Sequence, residues 1–235
     1  MTRILSLQVG MPRSVGTEGA AEPMDRQWTT GFFKEPVRGP VFLGTEGLDG
    51  DGVADRRVHG GPEKAVLAYS GLHYSVWESE LDLGRLPFGA FGENFTLDAQ
   101  TEAEVCIGDV YAAGEALLEV SQPRQPCWKL SRRWRIPDLS VRVQANGRTG
   151  WYFRVLREGL VRVGDVLIRI ERPYPHWTVA EANAIMHHRR EDLEAAAALA
   201  ACPALATSWR KTLEARATTG AQTDTHPRLI GPNEP

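Results

Sequence analysis

A chain of 235 residues with a hydrophobic share of 42% carries enough apolar material for one large domain or a medium domain with an appendage, and it excludes disorder throughout. The 27 basic and 30 acidic residues are spread along the chain and leave a net charge of −3, so no global field draws it to nucleic acid or an anionic membrane. Cys106, Cys127 and Cys202 form an odd set without CxxC spacing, which argues against a disulfide framework and a zinc cage.

The opening apolar run is too short for a signal peptide, and no segment approaches the roughly 20 apolar residues of a membrane span, so the expected location is the cytoplasm. Up to residue 173, short apolar runs alternate with Gly, Pro and Asp, the punctuation of a mainly β architecture. One helix is expected over residues 71–81, where Leu72, Val76, Trp77 and Leu81 recur at helical spacing and Ser70 is placed to cap. Val105-Cys106-Ile107-Gly108-Asp109-Val110 returns as Val161-Arg162-Val163-Gly164-Asp165-Val166. This echo predicts two similar hairpins turning at Gly-Asp, with strands over 116–120 and 166–170, as units of a barrel or sandwich.

After Pro173 and Pro175 alanine, glutamate and arginine take over, and residues 174–217 read as a small three-helix domain behind a β-rich unit over 1–173. Thr178 and Glu181 form a capping box at its start. Further helices are expected over 191–201 and over 204–217, where Leu205, Trp209 and Leu213 lie four apart. Helices this short need to pack on each other, on the barrel or on a second copy of the chain, which makes a homodimer one option. Residues 218–235 read as a disordered tail.

Chemistry concentrates in residues 121–130, where Pro123 and Pro126 forbid regular structure and make a stiff loop. Cys127 lies there beside Arg124, Lys129, Arg132 and Arg133, and neighbouring cations favour thiolate over thiol. Cys106, between Val105 and Ile107, and Cys202, before a proline, read instead as small buried hydrophobes. His59-Gly60-Gly61-Pro62-Glu63-Lys64 reads equally as an anion cradle of glycine amides plus a lysine, or as an ordinary turn. Glu93-Asn94 either aims an amide into a cavity or stabilises a turn. Arg148 and Arg154, around Trp151, Tyr152 and Phe153, suit a planar anion or simply an edge strand. There is no Ser-His-Asp elbow, Walker loop, dinucleotide fingerprint or nucleic-acid motif, and adjacent His187 and His188 diverge on a helix and make a poor metal pair.

The order and spacing of these segments resemble the MOSC family, domains related to the C-terminal part of molybdenum-cofactor sulfurases. The likeness runs from Lys34-Glu35-Pro36-Val37 and Gly47-Leu48-Asp49-Gly50-Asp51 through His59-Gly60-Gly61, Lys64-Ala65-Val66 and Gly92-Glu93-Asn94. It continues with Ile107-Gly108-Asp109, Pro123-Arg124-Gln125-Pro126-Cys127 and Gly147-Arg148-Thr149-Gly150-Trp151-Tyr152. The helical tail resembles the stand-alone bacterial branch named for resistance to 6-hydroxylaminopurine. The resemblance implies a β-barrel that binds the molybdenum cofactor (molybdopterin), with Cys127 as metal ligand and catalytic centre. Cofactor contacts would fall on His59, Gly60, Gly61, Lys64, Asn94, Ser121, Arg124 and Arg148, with Trp128, Trp151 or Tyr152 stacking a planar substrate. The implied activity is reduction of N-hydroxylated compounds, purines among them, with electrons from an external flavoprotein or redox protein. The alternative is a carrier module that passes cofactor or sulfur to a partner. Two details depart from the family pattern: Glu63 stands where aspartate is usual, and Asp98-Ala99-Gln100 replaces a glycine followed by an apolar residue.

Overall fold

The structure is a computed structural model that describes residues 1–56 and 59–234. The first unit comprises β1 (Thr2–Val9), β2 (Arg13–Val15), β3 (Trp28–Thr30), β4 (Glu35–Pro36), β5 (Val41–Gly44), β6 (Gly47–Leu48), β7 (Val66–Ser70) and α1 (Leu72–Leu81). It continues with β8 (Phe95–Leu97), β9 (Val110–Ala113), β10 (Ala116–Pro123), α2 (Trp128–Trp134), α3 (Leu139–Asn146), β11 (Trp151–Arg157), β12 (Gly159–Val161) and β13 (Val166–Glu171).

Seven strands in the order β13-β9-β10-β11-β7-β8-β1 close on themselves through β1–β13 pairing, and β4 hangs from the outer end of β1. All neighbours are antiparallel except β7 and β8. Closure leaves the ring no unpaired edge and turns alternate side chains inward. Ile4, Phe95, Leu118, Val120, Trp151 and Phe153 fill the interior. The expected mainly β barrel is therefore what the chain forms.

The sequence echo is a repeated turn, not a repeated hairpin. In each copy the aspartate carboxylate accepts from the amide three residues back, Asp109 from Cys106 at 3.0 Å and Asp165 from Arg162 at 2.9 Å. Gly108 and Gly164 take positive φ at the next-to-last position, where a side chain would be strained. Each turn leads into a strand, β9 or β13, and those two strands pair with each other. The hairpin proper joins β9 to β10 through Gly114-Glu115.

Helix α1 also differs from expectation, since Leu72 and Val76 are 52% and 42% exposed while His73, Tyr74 and Trp77 are buried. Polar contacts fix that face: His73 Nε2 meets Glu102 at 2.7 Å, Trp77 Nε1 donates to Tyr69 at 2.6 Å, and Tyr74 donates to Glu93. Ser70 Oγ does accept from the Leu72 amide, at 3.3 Å.

The second unit holds α4 (Val179–Asn183), which runs on as a π-helical turn (Ala184–His188), then α5 (Leu193–Ala200) and α6 (Thr207–Thr219). Thr178 caps α4 by accepting from Glu181 N at 3.0 Å, whereas the Glu181 carboxylate pairs with Arg189. Leu199, Leu205, Trp209 and Leu213 pack into the same core as the barrel. Glu63 clasps the two units together: its carboxylate accepts from Thr207 N at 2.9 and 3.0 Å, at the start of α6, and pairs with Arg154. A carboxylate there complements the positive end of the helix.

The segment expected to be disordered departs from that reading. Residues beyond α6 return to the barrel, form α7 (His226–Leu229) with Leu229 buried, and end beside α2. Among the described residues, no helix is long and apolar enough to cross a membrane.

Candidate functional site

Strand β10 ends at Pro123, paired with Trp151, and the chain leaves the sheet as Arg124 N donates to Gly150 O at 3.0 Å. Cys127 ends this loop with extended backbone at the N-cap of α2. Its carbonyl accepts from Leu130 N at 3.0 Å and from the Ser140 hydroxyl of α3 at 2.5 Å, while Ser131 and Ser140 bond to each other. The thiol is thereby held at the wall of a cavity of about 650 Å3.

His59, Gly60, Gly61, Lys64, Asn94 and Arg124 line the same cavity. Gly60 and Gly61 have φ of +73° and +83°, and among the described residues a Cβ on Gly61 would meet no atom within 4 Å. Lys64 N closes the following turn onto Gly61 O at 2.8 Å. Burial draws the Lys64 ammonium below the ordinary lysine range, against the pull of Glu63.

Arg124 is only 4% exposed. One of its terminal nitrogens donates to Phe91 O at 3.3 Å, and the other, Nη1, is buried and has no hydrogen-bond partner among the described residues. A buried cationic donor left this way is costly unless an acceptor completes it, which marks this wall as a place for an anion. Burial pushes the Cys127 thiol up, yet the hydrogen bond and charge of His59, the Arg124 guanidinium and the Lys129 amide outweigh it and bring the thiol down to about 7. Arg228, from the C-terminal segment, is lowered to about 10 by burial, with the Cys127 sulfur pulling the other way.

Four of the residues nominated for cofactor or substrate contact do not line the cavity. Arg148 lies outside the cavity, gripping Glu80 at 2.7 and 2.9 Å and covering the Trp77 ring at 4.0 Å. Ser121 is buried behind the wall, where its hydroxyl donates to Glu63 O at 2.6 Å and so supports the glycine turn from beneath. Trp151 fills the barrel interior, and Trp128 packs on Trp28 with ring centroids 5.6 Å apart. Of the three aromatics nominated for stacking, Tyr152 is the one that lines the cavity. Asn94 lines it too, but its amide knits the wall: Oδ1 accepts from Leu67 N at 3.1 Å and Nδ2 donates to Asp51 at 2.8 Å. Arg132 and Arg133 reach away from the thiol, to Pro232 O and Phe32 O.

The sequence reading missed Lys34 and Asp51 as cavity residues. They form an ion pair on the cavity wall, with Asp51 also accepting from Gly10 N at 2.9 Å. Burial draws Lys34 below the ordinary lysine range against the attraction of Asp51. No local spacing signals the pair, because both segments gather at the end of β1, which pairs with β4 next to Lys34 and whose following residue, Gly10, bonds to Asp51 and Gly52. Arg228 was missed for a similar reason, being remote in sequence from Cys127.

Fold and cavity define a class: a closed barrel that presents one cysteine thiol, the other two being buried elsewhere, to a cavity with cationic donors on its wall. The chain belongs to the MOSC domain family, with residues 55–168 matching the MOSC domain and residues 177–220 the YiiM-like 3-alpha helix domain. Among its relatives, YflK of Bacillus subtilis (strain 168) is 42% identical over 88% of this chain and 90% of its own length. YiiM of Escherichia coli (strain K12) is 38% identical over 84% and 89%. A protein named "Reductase" from Gibberella moniliformis is 39% identical over 70% of this chain, a match that spans 30% of that longer protein. The crystal structure of YiiM from Geobacillus stearothermophilus aligns with a TM-score of 0.77 at 38% identity, covering 93% of this chain and all of that one.

Proposed function

We propose that the protein is a molybdenum-cofactor-dependent reductase of N-hydroxylated compounds, N-hydroxylated purines or similar, with Cys127 as the protein ligand to the metal. The observation that carries this reading is the Cys127 thiol at the wall of a 650 Å3 cavity, beside His59 and the partnerless Nη1 of Arg124. The likeness to a protein named "Reductase" adds support.

The donor set suits this cofactor. Among the described residues no three His, Cys, Asp or Glu side chains cluster to hold a metal, so a metal here needs a group that brings its own donors and leaves one position for a thiolate. The cofactor's terminal phosphate would be held by the Gly60 and Gly61 amides with Lys64 and Arg124, since a buried phosphate needs several donors. When bound, the cofactor supplies two-electron oxygen-atom chemistry at molybdenum held by soft sulfur ligands.

In that chemistry R-NHOH, two protons and two electrons give R-NH2 and water, with the electrons delivered by an external flavoprotein or redox protein. Cys127 holds its sulfur toward the cavity in thiolate form. His59 orients that sulfur by hydrogen bonding, and Arg124 keeps its charge favourable. Tyr152 and Phe32 stand on the cavity wall where a planar base could stack, and the Lys34–Asp51–Asn94 network keeps that wall rigid. Three free thiols fit a reducing compartment such as the cytoplasm.

The test is turnover of an N-hydroxylated purine by protein isolated with its cofactor and supplied with a chemical reductant. Amine formation by the wild type and none by Cys127→Ala is the expected result. Release of cofactor to an acceptor protein without turnover would replace the enzyme reading with the carrier reading.

A further inference from the structure

The loop that bears Cys127 has little regular structure to hold it. Two prolines interrupt residues 123–126, and α2 begins immediately after the thiol. A ligand that must meet a cofactor precisely needs its backbone fixed to within about half an ångström. The chain's last residues provide fixing points. Arg228 donates through one terminal nitrogen to the carbonyl of Pro126, the residue before Cys127, and through the other to Gln144 of α3 at 2.6 Å. Asn233 donates to the carbonyl of Trp128, the residue after Cys127, at 3.0 Å.

Arg132 completes the bracket from the α2 side, donating to Asn233 Oδ1 and Pro232 O, both at 2.8 Å, while its guanidinium lies 4.7 Å from the Trp128 ring centroid. Gly231 makes the approach possible, since a Cβ there would stand 2.6 Å from the Trp128 ring at a φ of +52°. The carbonyls on both sides of the thiol-bearing residue are thus tied to one segment about 100 residues further along the chain.

We propose that residues 226–234 are a positioning strap for Cys127, with Arg228 as the positioning residue that joins the Pro126 carbonyl to α3. The inference rests on the reading of Cys127 as the metal-anchoring thiol. It assigns Arg228 no contact with substrate or cofactor.

Full-length Arg228→Met and Asn233→Ala variants test it. In metal-free protein, amide hydrogen exchange over residues 124–134 should rise about tenfold in Arg228→Met and less in Asn233→Ala, with α1 and the barrel strands unchanged. Arg228→Lys, which keeps one of the two bonds, should recover part of the protection. In cofactor-loaded protein, Arg228→Met should lower kcat with KM for the N-hydroxylated substrate unchanged. Unchanged exchange over 124–134 overturns the strap, as does faster exchange with unaltered kcat, which would reduce the segment to surface packing. If the wild type reduces no N-hydroxylated compound while the exchange result holds, the reductase reading falls and the strap around Cys127 stands.

Discussion

Cys127 and Cys106 sit at opposite fates of the same side chain. Cys106 lies in the Gly-Asp turn ahead of β9, fully buried, with its thiol donating to Pro175 O at 3.4 Å. Burial and the neighbouring Asp109 carboxylate both push that thiol up. Cys127 is half-buried on the cavity wall, but it faces His59, Arg124 and a backbone amide, and against the cost of burial its thiol comes down to about 7. The sign of the neighbours, more than burial itself, separates an inert thiol from a ligand.

The largest effect that could break this contrast is on turnover. Cys127→Ala should reduce N-hydroxy reductase activity to background, about a thousandfold or more, with the melting temperature preserved. Cys106→Ala should keep activity and cost about 1 kcal/mol of stability, read by urea unfolding. Next comes Arg124→Met, which removes the buried guanidinium and its unmatched Nη1 and should weaken inorganic phosphate binding to metal-free protein about tenfold, measured by calorimetry.

A smaller effect sharpens the electrostatic half of the contrast. Alkylation of Cys127 should rise with pH and reach half its plateau near 7, because the thiolate exists above its lowered value and is lost as pH falls through it. Since a metal ligand has to be deprotonated, cofactor retention should fall over the same range. His59→Gln should move the midpoint upward, whereas Cys106 should stay unreactive throughout. The smallest expected change is Glu63→Gln, which should cost about 1 kcal/mol by weakening the clasp on the first turn of α6, again read by urea unfolding.

Much of this was legible in the sequence where a local pattern has a physical cause. Alternation and Gly-Asp turns indicated a barrel or sandwich, the family resemblance narrowed it to a barrel, and the alanine-rich stretch after Pro175 indicated helices close to those formed. The Pro-Arg-Gln-Pro-Cys loop stood out because prolines and cations mark a stiff, electropositive backbone. What escaped is non-local. Helices α2 and α3, with sequences WKLSRRW and LSVRVQAN, carry too few apolar positions for a clear stripe. The buried face of α1 is chosen by Glu102, Glu93 and Tyr69, none of which its own spacing reveals. Lys34, Asp51 and Arg228 join the site through strand pairing and a returning tail. Arg148 misled because an arginine beside aromatics looks the same whether it meets a ligand or, as here, Glu80 and Trp77.

Molybdenum K-edge X-ray absorption on protein isolated from cofactor-producing cells tests the central assignment most directly. Wild-type protein should show one more sulfur scatterer at the metal than Cys127→Ser, with Cys106→Ser indistinguishable from wild type. Equal sulfur coordination in wild type and Cys127→Ser would contradict the account.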